Sequence, residues 1–147
     1  MFYVSFDKKN KLMTKMSVQY TGNLRCEVLH TQSNTQIETD APLDNKGKGE
    51  RFSPTDLLCT SLATCILTTM AIAAEERNWK FEGVTAEIEK IMSSTPRRIG
   101  EIKIHFTFPD LGYDDLMKEK IQRYAHACPV GRSLHPDVLQ NVTFEFS

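Results

Sequence analysis

An α+β fold with a largely antiparallel sheet is predicted by three features of this 147-residue sequence. Segments with two-residue alternation arrive in adjacent groups instead of alternating one by one with helices. Two segments carry helical signals, and they lie far apart in the chain. The first of these, Leu57 to Ala74, contains no charged residue, the mark of a central helix rather than a surface one. The predicted order is β-β-β-α-β-β-α-β with two main helices. One sheet cannot cover a helix that is apolar on most faces, so a second copy is expected to cover the rest, giving a homodimer.

Residues 1–16 mix Lys and Asn with scattered aromatics and show no sustained period. They are read as an N-terminal extension to a single domain spanning 17–147. From Ser17 the pattern changes. Val18 and Tyr20 alternate with polar residues, and Thr21-Gly22-Asn23 marks a turn. Leu24 to His30 reads as a second strand and Thr35 to Thr39 as a third, a meander of hairpins. Asp44 to Glu50 is a polar loop with two glycines. Ser53 then offers an N-cap oxygen, Pro54 suits the first helical position, and Asp56 places negative charge in the first turn. This helix should run to about Arg77.

Phe81 to Met92 alternates through Val84, Ala86 and Ile88 and reads as a strand. Ser93 to Arg98 is a turn containing Pro96. Ile99 to Phe108 alternates through Ile102, Ile104, Phe106 and Phe108, with Pro109 ending it. Tyr113 to Ala127 has helical spacing, with Leu116, Ile121 and Tyr124 as inward positions. Pro129 breaks that helix, and a short helical turn covers Val130 to Leu134. Val142, Phe144 and Phe146 form the last strand.

Composition excludes several classes. The net charge is −1 and no basic stripe is present, so nucleic acid is not an expected partner. The Leu57–Ala74 run carries several Ser and Thr and falls short of a comfortable bilayer span. The N-terminus lacks the apolar stretch and cleavage site of a signal peptide, so a cytoplasmic protein is expected. The four cysteines are Cys26, Cys59, Cys65 and Cys128. No C-x-x-C occurs, which argues against a zinc knuckle and a thioredoxin-type pair. Reduced thiols are expected.

Cys65 lies on the uncharged helix, with Ser61, Leu62, Thr68 and Thr69 one turn away. Its helix supplies no base, so any activating cation must come from elsewhere in the fold. A buried core cysteine and a nucleophile both remain open. Cys59, roughly 120° around the same helix, reads as a core filler, and Cys26 as strand packing. Cys128 precedes Pro129. If Pro129 opens a helical turn, Cys128 sits at its positive end, which favours a thiolate; a helix-terminating residue without chemistry is the alternative. His30, His105, His126 and His135 form no HxxxH or HExxH pattern, so metal hydrolysis has no support.

Ser53-Pro54-Thr55-Asp56-Leu57-Leu58 followed by Cys65, and the late Cys128-Pro129-Val130, resemble the OsmC/Ohr family of osmotically inducible and organic hydroperoxide resistance proteins. Tyr20 to Arg25, Thr39 to Pro42, Gly47 to Glu50 and Ser133 to Pro136 add to the resemblance, which spans about Ser17 to Phe146. It implies an intertwined homodimer with active sites at the subunit interface. It implies a peroxidatic role for Cys65 and a resolving role for Cys128. It also implies an arginine beside the first sulfur, for which Arg25 fits. The family's hydroperoxide reductases carry glutamate directly after the helix-starting proline. Here that position is Thr55, with Asp56 next; either Asp56 or Glu50 is expected to substitute, or the arginine to be held differently.

The activity so implied is reduction of organic hydroperoxides, fatty or aromatic ones before hydrogen peroxide. An external dithiol, which the resemblance suggests is of the lipoyl type, would regenerate the thiols, and no metal, flavin or haem cofactor is needed. Two rivals remain. One is a non-catalytic module that keeps the fold and binds a small apolar ligand. The other is a cysteine hydrolase with His126 or His135 as base.

Overall fold

The computed structural model describes residues 13–147. The extension expected for 1–16 lies mostly outside the described residues. The chain divides into two compact units, one ending at Pro54 and the other running from Thr55 to Ser147.

The first unit is an antiparallel sheet of β1 (Met16–Gly22), β2 (Arg25–His30) and β3 (Thr35–Asp40), in that order. Gly22 pairs with Arg25, so the first hairpin turns on Asn23 and Leu24 alone. Both have positive φ, 52° and 60°, the backbone sign that a tight two-residue hairpin needs to match strand twist. Leu24 therefore belongs to the turn, not to the second strand as expected. The register places Val18, Val28 and Ile37 in one cross-strand row and Tyr20, Cys26 and Thr39 in the next on the same face. Met16, Val18 and Tyr20 are 62–66% exposed there. The opposite face carries Arg25, Glu27, Glu38 and Asp40.

The second unit contains α1 (Pro54–Glu75), β4 (Thr85–Ser94), β5 (Arg97–Phe108), α2 (Asp115–Ala125), α3 (Pro129–Ser133) and β6 (Leu139–Phe146). α1 begins at Pro54 as expected. Its buried residues, Cys59, Leu62, Ala63, Ile66, Met70, Ala73 and Ala74, follow the 3–4 spacing of a single stripe. Within one copy the helix thus has one covered face, and Leu58 and Ile72 are exposed. At 22 residues it is long and apolar enough to cross a bilayer by length and composition, which corrects the shorter estimate. Its hydroxyls are returned to its own backbone. Ser61 donates to the Leu58 carbonyl, Thr64 to Thr60, Thr68 to Thr64, and Thr69 to Cys65.

The strand order of this unit's sheet is β4-β5-β6. β4 and β5 pair antiparallel, and β5 and β6 pair parallel. The expected single sheet is therefore two three-stranded sheets, largely antiparallel, within the predicted α+β class. The parallel pair has a physical cause: α2 and α3 form the long crossover that parallel strands require. Ile102, Ile104, Phe106 and Phe108 are buried as predicted. Ile99 is buried too, although three residues separate it from Ile102. A bulge resolves the parity, because Ile91 pairs with Glu101 and Met92 with Ile99, leaving Gly100 unopposed. A Cβ on Gly100 would lie 2.4 Å from Ser93 Oγ.

Phe106 stacks on Phe144 at 5.6 Å, and Phe108 meets Phe146 at 4.5 Å, which stitches β6 to β5. α2 is capped by Asp114, whose carboxylate accepts from Met117 N–H at 2.7 Å. Ile121 and Ala125 form its buried face. Leu116, expected inward, is 55% exposed. It lies in the first turn, where the Ile121/Ala125 stripe does not reach.

Candidate functional site

Cys128 is the N-cap of α3, and Pro129 is its first residue. Proline fits there because its missing N–H is one that the first turn would leave unbonded. The expected helix start is therefore present. The Cys128 sulfur accepts from Gly131 N–H at 3.5 Å. Cys65, 63 positions earlier in the chain, packs against the same buried cluster as Cys128 and adds to the electrostatic environment of its thiol. All four cysteines are free thiols; Cys128 is buried and Cys65 partly buried.

The electrostatics of Cys128 differ from the sequence expectation. Burial pushes its thiol above the ordinary value, and Cys65 adds to that. The N–H groups of Gly131 and Val130 pull the other way and are outweighed. Cys128 therefore favours its protonated form. Cys59 is buried in the core, and burial raises its thiol as well, with the Lys90 charge opposing. Core packing is its role.

The turn bearing Cys128 is fastened on both sides. Gln140 of β6 donates from Nε2 to the Gly131 carbonyl at 2.9 Å. A Cβ on Gly131 would lie 2.8 Å from Gln140 Oε1 and 3.4 Å from Leu62 Cδ1. Glycine there is what lets α3 approach both β6 and α1. Leu62 is one turn before Cys65 on α1.

Arg25 heads a separate cluster in the first unit. Its Nε and Nη2 donate to the two Asp40 carboxylate oxygens at 2.7 and 2.9 Å, and Nη2 also reaches Glu50 Oε2 at 2.9 Å. Asp40 is 3% exposed and accepts from Glu50 N–H besides. The Arg25 hydrogen bonds hold the Asp40 carboxyl below its usual range against the opposing effect of burial. Asp40, and then Glu50, raise Arg25 above its already high value, so the guanidinium is a fixed cation. Asp40 and Glu50 together hold Arg25. Asp56 accepts from Lys90 Nζ at 2.5 Å, and Lys90 also donates to Thr55 Oγ1 at 2.9 Å.

Sequence reasoning missed Asp40, Lys90 and Gln140. Asp40 was legible only as a polar residue until the ladder set it opposite Arg25. Gln140 had a usable signal: it shares the parity of Val142, Phe144 and Phe146 yet is polar. His126 and His135 are exposed, and His135 Nδ1 accepts from Asp137 N–H at 3.2 Å. Among the described residues, neither is hydrogen-bonded to a cysteine. No group of three or more His, Cys, Asp or Glu able to hold a metal occurs among the described residues.

Beside α1 lies an open cavity of about 650 Å³, with Leu58, Ile99, Leu134 and Val138 as its apolar bed and Arg98 and Asp137 at the polar end. Leu58 precedes Cys65 by seven residues, two helical turns, so it lies on nearly the same face about 10 Å away along the axis.

The OsmC-like protein family profile matches residues 47–142, well over half of the chain. The chain belongs to this family. The match includes Cys65, Cys128, Gly131 and Gln140, and Arg25 and Asp40 precede it. A solved structure from Psychrobacter arcticus 273-4, a candidate osmotic stress induced and detoxification response protein, is 46% identical. It covers 93% of this chain and 99% of its own, with a TM-score of 0.86. An organic hydroperoxide resistance protein OsmC from Legionella pneumophila is 18% identical, with a TM-score of 0.71, covering 93% and 99% of the two chains. An organic hydroperoxide resistance protein from Elizabethkingia anophelis is 15% identical, with a TM-score of 0.71, covering 95% and 99%. These last two share the fold of the family. No curated protein matches the chain.

Proposed function

We propose that this OsmC-like protein is a thiol peroxidase that reduces organic hydroperoxides to alcohols. The packing of Cys65 against the buried cluster that holds Cys128, with each thiol in the other's electrostatic field, carries the proposal. Both are free thiols, and a disulfide between them requires their Cα atoms to come within about 7 Å. The Cys65 thiolate attacks the O–O bond, leaving sulfenic acid, and the departing alkoxide takes a proton to become the alcohol. Cys128, which favours its protonated form in the resting state, then condenses with the sulfenic acid to give a disulfide and water. A dithiol reductant, proposed to be of the lipoyl type, restores both thiols by exchange.

Arg25 is assigned to orient the peroxide and stabilise the thiolate, as a cation that Asp40 and Glu50 fix in place. The apolar cavity two turns from Cys65 favours an organic substrate over hydrogen peroxide. The relatives described as organic hydroperoxide resistance proteins support the same chemistry. The proposed assembly is a homodimer, since Leu58 and Ile72 on α1 and the Met16–Val18–Tyr20 face of β1 are left uncovered in one copy. The proposed compartment is the cytoplasm, where four free thiols stay reduced.

Consumption of tert-butyl hydroperoxide with excess dithiol tests the reading. Wild type should turn over and Cys65→Ser should not; equal rates would end it. A second reading, a non-catalytic module for a small apolar ligand, is favoured by the cavity and by Thr55 in the family's glutamate position. Intact mass after one equivalent of peroxide separates the two, since only the peroxidase loses two hydrogens.

A further inference from the structure

We infer that Gln140 is the positioning residue of the thiol pair, acting through the Gly131 carbonyl to hold the Cys128 turn against Cys65. The inference rests on the peroxidase reading for its catalytic meaning, but the positioning itself is independent of peroxide.

α3 has five residues, so it is too short to hold itself in place by its own ladder. Its carbonyls have few partners within the helix. Arg132 N–H reaches the Cys128 carbonyl at 3.2 Å, and Ser133 Oγ donates to the Pro129 carbonyl at 2.9 Å. Both bonds lie inside the turn and stiffen it without fixing where it sits. The Gln140 Nε2 bond to the Gly131 carbonyl, 2.9 Å long, reaches out of the turn to a sheet strand. β6 is in turn locked to β5 by eight register pairs, from Glu101–Leu139 to Phe108–Phe146.

The choice of residue supports the assignment. Val142, Phe144 and Phe146 share the face of Gln140 and pack on the core. An apolar side chain at position 140 would continue that pattern, and it would leave the Gly131 carbonyl without this donor. Gly131 completes the device. Its N–H reaches the Cys128 sulfur, its carbonyl takes the Gln140 amide, and its missing side chain leaves room for both Gln140 and Leu62. One residue therefore links the sulfur, the strand and the cysteine helix.

The test is thiol–disulfide equilibrium with glutathione. Oxidised glutathione takes the two thiol hydrogens and their electrons, giving the Cys65–Cys128 disulfide and two reduced glutathiones, so the equilibrium reads the effective concentration of one thiol at the other. Gln140→Met keeps volume and removes the donor; Gly131→Ala displaces the Gln140 amide by steric contact. Each should lower the effective concentration about five- to tenfold, the scale of one hydrogen bond. Gln140→Met should unfold within a few degrees of wild type, since a role in stability alone moves the melting temperature and leaves the dithiol equilibrium alone. An unchanged equilibrium in Gln140→Met overturns the inference. In the peroxide reaction, loss of the first thiol should keep its wild-type rate while disulfide formation slows and sulfinic acid accumulates. Failure of wild type to react with peroxide would defeat the peroxidase reading and leave the glutathione result to decide the role of Gln140.

Discussion

Arg25 and Asp40 stand opposite each other across the β2–β3 ladder, and the carboxylate takes two guanidinium nitrogens at 2.7 and 2.9 Å. The fork geometry fixes the plane of the guanidinium, which a lysine could not do. If Arg25 presents that plane to a peroxide, Arg25→Ala should lower kcat/KM by ~10²-fold, the range seen for loss of one preorganised donor. Arg25→Lys should recover only part of this. Steady-state kinetics with cumene hydroperoxide checks both, and wild-type rates in Arg25→Ala would remove it from the site.

The same pair makes stability sensitive to acid. The folded pKa of Asp40 lies below its ordinary value because Arg25 favours the carboxylate. Its contribution is complete above the unfolded value of ~3.9 and is lost as pH falls through the depressed folded one. Urea midpoints measured from pH 6 down to pH 2 should fall for wild type below about pH 4. In Asp40→Asn that part of the acid slope should flatten.

Glu50 and Asp56 differ in the cation each one holds. Glu50 bonds Arg25 directly, while Asp56 bonds Lys90. Glu50→Gln should therefore reduce peroxide turnover more than Asp56→Asn does. The expected gap is about three- to tenfold, the worth of one charge-assisted bond at a partly exposed site. A larger loss in Asp56→Asn would reverse the assignment.

Cys128 gives the opposite pH dependence. Its folded pKa is raised by burial and by Cys65. Its contribution is complete below the unfolded thiol value of ~8.5 and is lost as pH rises through the raised folded value. Denaturation midpoints between pH 7 and 10 should fall more steeply in wild type than in Cys128→Ala. Buried Cys59 titrates in both proteins and cancels in the comparison.

What could be read beforehand divides along physical lines. The β5 core was legible because Ile102, Ile104, Phe106 and Phe108 repeat with the period of a strand buried on one face. The Cys128 cap was legible because proline after a helix restricts its own backbone and that of its neighbour. The partner of β6 was not, because alternation in Val142, Phe144 and Phe146 says which face is buried and nothing about which strand lies alongside. The Arg25–Asp40 pair needed the ladder register, which a turn at Asn23 and Leu24 sets. Leu116 was misjudged because helical spacing alone does not say where the covered stripe begins. Gln140 is exposed, and its parity with Val142, Phe144 and Phe146 is the one sequence signal that marks its face.

The bulge at Gly100 offers a test of fold without chemistry. Ile99 and Ile102 are three apart and both buried, which a regular strand forbids. Gly100 absorbs the extra residue, and its missing side chain leaves room for Ser93 Oγ, which would lie 2.4 Å from an added Cβ. Gly100→Ala should therefore destabilise by about 1–3 kcal/mol through overpacking. The nearest remaining atom, Ser93 Cβ, would be 3.6 Å away, an ordinary contact. Ser93→Ala combined with Gly100→Ala should then recover most of the loss, and the two changes should be non-additive because they share one contact. Thermal unfolding resolves the difference, since 1 kcal/mol corresponds to a few degrees in a chain of this length. Additive losses in the double variant would place the strain in the backbone of the bulge instead of at the Ser93 hydroxyl.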